Sequence, residues 1–129
     1  MSLSLEELEK AVVSLEKALE LYKDSSENQI EIKKAFRDAC IQRFEYCIEM
    51  SWKQSMKVLG SNTMAAKPAI REMARNNLID NPELWFDFIE SRNETSHSYD
   101  EDIAIKVFTN IKRFYPEVRK LLQTLQKQI

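Results

Sequence analysis

From Gln29 to Leu59 the chain runs without a glycine or a proline, and it then meets Gly60, its only glycine. No tight turn fits inside such a stretch. It reads as one long helix, with Gly60 as the left-handed residue that ends it. Along it, Ile32, Phe36, Cys40, Phe44 and Cys47 form one apolar row, and Ile41, Ile48, Trp52, Met56 and Leu59 form a second, rotated row. A helix apolar on two sides is either central to its bundle or shared with a second copy of the chain, and both are expected here. One glycine and three prolines in 129 residues leave too little turn chemistry for a many-stranded sheet. The expected fold is all-α, an up-and-down four-helix bundle with an extra short helix, in a single domain over residues 1–129.

The other helices follow from their periodicity. Ser4 and Glu7 have the spacing of a capping box, and Leu5, Leu8, Val12, Leu15, Leu19 and Tyr22 then form a single stripe. Asp24 to Asn28 is polar and reads as a loop. After a loop from Ser61 to Lys67, Pro68 suits the first position of a short helix that ends at Leu78-Ile79. Lys67, Arg71 and Arg75 recur every four residues on it. They form either a solvated ridge or a seat for phosphate or an acidic partner. Asp80-Asn81-Pro82 starts the next helix, whose Trp85, Phe86, Phe88 and Ile89 read as core rather than as a cofactor box. Ser98 and Glu101 suggest a second capping box, followed by a row through Ala104, Phe108, Ile111, Tyr115, Val118, Leu122 and Leu125. Pro116 lies inside that row, so a kink or break is expected near Phe114.

A hydrophobic fraction of 43% and a charged fraction of 31% suit amphipathic helices with solvated outer faces. The net charge of −2 provides no global positive field, so any nucleic-acid site has to be local. The first residues lack the basic and apolar regions of a signal peptide, and no apolar run approaches the ~20 residues of a membrane span. A cytoplasmic protein without membrane contact is expected. Cys40 and Cys47 are seven residues apart on one helix, with Cα atoms ~10 Å apart along its axis, too far for a disulfide. With His97 far along the chain, neither a metal site nor a cofactor is expected, and the thiols read as buried.

Chemistry concentrates in one polar segment, Arg92-Asn93-Glu94-Thr95-Ser96-His97-Ser98-Tyr99, which joins two apolar-periodic helices. A guanidinium binds phosphate bidentately, and an imidazole moves a proton near neutral pH. Together, beside a helix N-terminus, they suit a phosphodiester. Against this, Asp100, Glu101 and Asp102 compensate the helix dipole and would repel phosphate. One histidine cannot supply separate acid and base groups, although a symmetric dimer brings two copies together. The residues alone leave two readings open, an interhelical polar network and an active site.

Arg92-x4-His97-x-Tyr99 resembles the motif of the HEPN superfamily (higher eukaryotes and prokaryotes nucleotide-binding). Pro68-Ala69-Ile70-Arg71-Glu72, Leu78-Ile79 and Trp85, together with the 92–99 segment, resemble the nucleotidyltransferase substrate-binding protein family within it. Asn77 stands where many relatives have glycine, but asparagine also accepts a left-handed cap. The resemblance implies a HEPN-like bundle, a homodimer and a separate minimal nucleotidyltransferase chain as partner. The resemblance places that enzyme's metal-holding G-S and D-x-D elements on the separate partner chain. The implied function is a substrate- or nucleotide-binding subunit of a two-component nucleotidyltransferase system. The alternative is a metal-independent endoribonuclease toxin, neutralised by the nucleotidyltransferase as antitoxin. In that case Arg92 and His97 are catalytic and RNA binds at them. Tyr99, Asn93, Ser96 and Arg71 are the implied binding or modification residues, with Tyr99 the candidate acceptor of nucleotidyl groups.

Overall fold

The computed structural model describes residues 3–129, and every regular element in them is helical. In chain order these are α1 (Glu6–Asp24), α2 (Ile30–Leu59), α3 (Ala66–Arg75), α4 (Pro82–Glu94), a 3-10 turn (Thr95–His97) and α5 (Glu101–Gln128). The expected all-α bundle is what forms. α2 packs against every other helix, which is why it carries two apolar sides. It ends as expected, with Gly60 at φ 67° and the Ser61 N–H bonded back to the Met56 carbonyl (2.9 Å).

Side-chain pairs fix the helix directions. Gln126 meets Glu9 (3.4 Å), the Tyr115 hydroxyl meets Glu16, and the Phe108 ring lies against Tyr22 (4.4 Å), so α1 and α5 are antiparallel. Lys106 meets Glu94 (3.2 Å) and Asn110 donates to Ser91 (2.7 Å), so α4 and α5 form an antiparallel hairpin closed by the 92–100 junction. Phe114 sits in the core among Phe44, Trp85 and Phe88, at centroid distances of 5.0, 5.7 and 5.2 Å. All four are buried, and the near-perpendicular ring planes (74–84°) match the edge-to-face preference of aromatic quadrupoles.

Several local expectations are corrected. Ser4 and Glu7 do not form a capping box: Leu5 is the N-cap, and its carbonyl accepts from the Glu9 N–H (2.9 Å). Burial of Leu5 fixes the start there, and the Ser4 hydroxyl accepts only from Glu6 (3.2 Å). α3 begins at Ala66, so Pro68 is its third residue, still among positions whose N–H needs no helical partner. It ends at Arg75, before the expected Leu78-Ile79. Asn77 takes the left-handed conformation (φ 61°), and Leu78 N–H bonds to the Met73 carbonyl (2.9 Å). Ile32 is exposed, so the first row of α2 joins the core only beyond it.

α5 runs through Pro116 without a break. Pro116 and Lys112 both face solvent, so the Lys112 carbonyl left free by the proline can bond water, while buried Phe114 and Val118 hold the flanking turns. Tyr115 and Leu122 are half-buried, and Phe114 and Leu121 take the core positions beside them. Cys40 and Cys47 are free and buried, and burial pushes their thiols up to about 11 and about 12. No helix among the described residues is long and apolar enough to cross a membrane.

Candidate functional site

The junction is shaped by two different endings. α4 stops because Thr95 folds back, its hydroxyl donating to the Arg92 carbonyl (2.8 Å) from a buried position. One 3-10 turn follows, with Ser98 N–H bonded to the Thr95 carbonyl (3.1 Å) and Asp100 N–H to the His97 carbonyl (3.0 Å). The expected Ser98–Glu101 box is not used. Asp100 is the N-cap of α5, its carboxylate accepting from the N–H groups of Asp102 (2.9 Å) and Ile103 (3.2 Å). The 3-10 turn consumes the residues a Ser98 cap would need. Tyr99 therefore lies just before the helix rather than at its first position, 85% exposed.

Arg92 points across to α2. Its guanidinium stands 3.7 Å from the Glu45 carboxylate and 3.8 Å from that of Glu49, which also pairs with Lys53 at 3.5 Å. These are charge contacts longer than hydrogen bonds. The one direct bond runs to the Thr95 hydroxyl (3.4 Å), and the buried Arg92 Nε has no acceptor among the described residues. His97 is exposed and its imidazole makes no hydrogen bond among the described residues; its ring lies 6.1 Å from that of Tyr99. Asn93 and Ser96 are also exposed. The polar segment thus divides: Arg92 and Thr95 belong to an interhelical network, whereas His97 and Tyr99 stand outside it.

The acidic triplet is largely engaged elsewhere. Asp100 caps the helix, and Glu101 accepts two bonds from Arg37 of α2 (2.6 and 3.2 Å), with Lys34 at 4.0 Å. Those bonds from Arg37 hold the Glu101 carboxyl below its ordinary range. Neutralised in this way, the start of α5 repels an anion less than its sequence suggests. Arg71 stands on α3 with its guanidinium 5.7 Å from the Phe86 ring, and no bond joins it to Arg92 or His97 among the described residues. No group of three or more His, Cys, Asp or Glu among the described residues could hold a metal.

Sequence reading missed Glu45, Glu49 and Arg37. A signal existed for the first two. Carboxylates four residues apart on one helix repel each other and call for a cation.

The likeness to known proteins covers this whole arrangement. A Haemophilus influenzae structure that reveals the fold of a substrate binding domain of a nucleotidyltransferase superposes with a TM-score of 0.83 at 28% identity, covering 95% of this chain and 99% of that one. A Thermus thermophilus protein superposes at 0.76 with 28% identity, covering 92% and 98%. The probable ribonuclease HepT of Haemophilus influenzae is 31% identical over 96 residues, 68% of this chain. That match spans just under two thirds, 66%, of the relative's length. With the family of nucleotidyltransferase substrate binding protein like chains matching from residue 3 to residue 127, this chain belongs to that family.

Proposed function

We propose that this chain is an endoribonuclease, acting as a homodimer through one domain over residues 1–129 and partnered by a separate minimal nucleotidyltransferase. The observation that carries the reading is His97: exposed and unbonded, at the junction where Arg92 is already anchored. Similarity to a probable ribonuclease supports the same assignment.

In the proposed reaction the RNA 2′-oxygen attacks the neighbouring phosphorus and loses its proton to an imidazole. The bond from phosphorus to the 5′-oxygen breaks, and that oxygen takes up a proton. The products are a cyclic phosphate and a 5′-hydroxyl. His97 carries one of the two protons, and Arg92 offsets the charge of the pentacoordinate phosphorane, with Asn93 and Ser96 available to bind the phosphate or ribose. To do so, Arg92 exchanges the loose contacts of Glu45 and Glu49 for the substrate. The exposed phenol of Tyr99 is the acceptor through which the partner silences the site. Its oxygen attacks the α-phosphorus of ATP, pyrophosphate leaves, and the phenolic proton passes to solvent.

A second reading is a substrate-binding subunit that does not cleave, and the two carboxylates facing Arg92 favour it. Incubation of the purified chain with RNA in the presence of EDTA separates them. Cleavage to cyclic phosphate ends, absent in His97→Ala, is expected. Folded protein that binds RNA or nucleotide but cuts none would establish the second reading instead.

A further inference from the structure

Along the α1–α5 groove lies a cavity of 510 Å³ to which the junction chemistry assigns no role. Its walls carry the rings of Tyr22, Phe108 and Tyr115 and the ammonium groups of Lys23, Lys33 and Lys112, against one carboxylate, Glu27. Lys33 is already engaged: it donates to the carbonyls of Tyr22 (3.0 Å) and Ser25 (3.2 Å) and pairs with Glu27 (3.4 Å). Lys23 and Lys112 have no ion-pair partner among the described residues. Lys112 lies instead over Phe108 (4.8 Å) and Tyr22 (6.0 Å), whose ring also carries Lys33 at 4.3 Å. The ring faces thus serve as the counter-charge for the Lys112 ammonium, which pairs with no carboxylate among the described residues. At the rim, Glu16 is occupied by the Tyr115 hydroxyl.

Helix geometry connects this groove to the junction. Glu101, Phe108, Lys112 and Tyr115 recur at 7, 11 and 14 residues from the first, so they share one face of α5. Phe108 and Lys112 lie ~10 and ~16 Å along the axis from Glu101, at 1.5 Å per residue. On α2, Lys33 lies one turn before Arg37, the partner of Glu101. The groove therefore begins about two turns of α5 beyond the Tyr99–Glu101 end of the junction, with Arg37 and Lys33, each already paired with a carboxylate, along its α2 side.

We infer that this groove is a second subsite for single-stranded RNA, taking nucleotides flanking the one held at Arg92 and His97; it rests on the RNA reading above. Phosphates pair with Lys23 and draw Lys112 off the rings, and the half-buried rings of Tyr22 and Tyr115 receive a base above the buried Phe108. Aromatic faces interleaved with lysines are the general means of holding single strands without reading sequence.

The test is fluorescence anisotropy with His97→Ala protein, so that RNA survives, with and without Lys23→Glu and Lys112→Glu. Both lysines are exposed, and circular dichroism checks that the fold is kept. For an RNA of about eight nucleotides, within the roughly 4–16 that single-strand sites span, affinity should fall about tenfold. The slope of log affinity against log salt should flatten by about 1.4, or about 0.7 for each lost phosphate contact. A dinucleotide, which reaches only the junction, should bind equally to both proteins. Unchanged affinity and slope for the longer RNA, or an equal loss for the dinucleotide, would overturn the subsite while leaving the nuclease reading intact. Failure of the parent protein to bind any RNA would overturn both.

Discussion

The two ends of α4 are built on opposite principles. At its N-terminal end Trp85 and Phe88 are closed into an aromatic cluster with Phe44 and Phe114, each ring meeting its neighbours edge to face. At its C-terminal end Arg92 is held by charges at 3.7 and 3.8 Å, and the chain beyond it exposes an imidazole and a phenol. The closed end fixes where the helix lies. The open end leaves groups free for a ligand, and it can be open because the closed end holds it in place.

The sharpest way to break the contrast is at its closed side. Phe114→Ala removes the ring shared by α2, α4 and α5, and should cost about 3–5 kcal/mol. Against a total stability of roughly 5–15 kcal/mol, the variant should be close to unfolding. Urea denaturation measures this; a loss of only about 0.5 kcal/mol, as for a surface change, would show that the cluster does not organise the fold.

The open side predicts the reverse pattern. His97→Ala should lower RNA cleavage by about 10²–10⁴-fold, the usual effect of a positioned proton carrier, and leave urea stability unchanged. Arg92→Ala should lose cleavage as well. It should also lose some stability, because Glu45 is left without a cation and Glu49 keeps Lys53 alone. If His97→Ala unfolds the chain or retains its activity, the distinction between the two ends of α4 disappears.

The sequence made the closed end readable and the open end only partly so. The rows on α2, the stripe on α1, the Gly60 cap and the burial of Trp85, Phe88 and Ile89 follow from periodicity and glycine chemistry, which depend on local sequence. The start of α4 at Asp80-Asn81-Pro82 was equally local, and there the Asn81 side chain accepts from the Leu84 N–H (3.2 Å). The polar segment was visible as a segment. Its division was not, because the partners of Arg92 lie on α2, more than forty residues upstream. The Ser98 box failed for a related reason. Two potential caps, Ser98 and Asp100, compete within three residues, and the 3-10 turn that decides between them is anchored by burial of Thr95.

That competition gives a smaller, sharper test. Asp100→Ala should cost about 1 kcal/mol, typical of a lost N-cap, whereas Ser98→Ala should stay within about 0.5 kcal/mol. Thermal melts of the two variants compare them directly. The opposite ranking would move the start of α5 back to Ser98, and Tyr99 into the helix.

The smallest expected effect concerns the tether that keeps the open end in register. Glu101 is held below its ordinary range first by the hydrogen bonds from Arg37, which outweigh desolvation, and then by the charges of Arg37 and Lys34. A carboxyl whose folded value is lowered stabilises the fold fully at pH above its unfolded value, about 4.3 for glutamate. That contribution drains away as pH falls through the lowered folded value, because the unfolded chain takes up the proton first. Acidification below about 4.3 should therefore destabilise the natural protein more steeply than Glu101→Gln, which has no proton to gain. The side chain of Glu101 is 50% exposed, so water and salt screen the pair and the difference in slope should be slight. Glu72 titrates in the same window, held low by the hydroxyls of Thr63 and Ser61, but it does so in both proteins. Melting temperature against pH, taken as a difference between the two, isolates Glu101. Parallel curves would mean that Arg37 does not hold the start of α5. The junction would then owe its position to the Asp100 cap and the Thr95 turn alone.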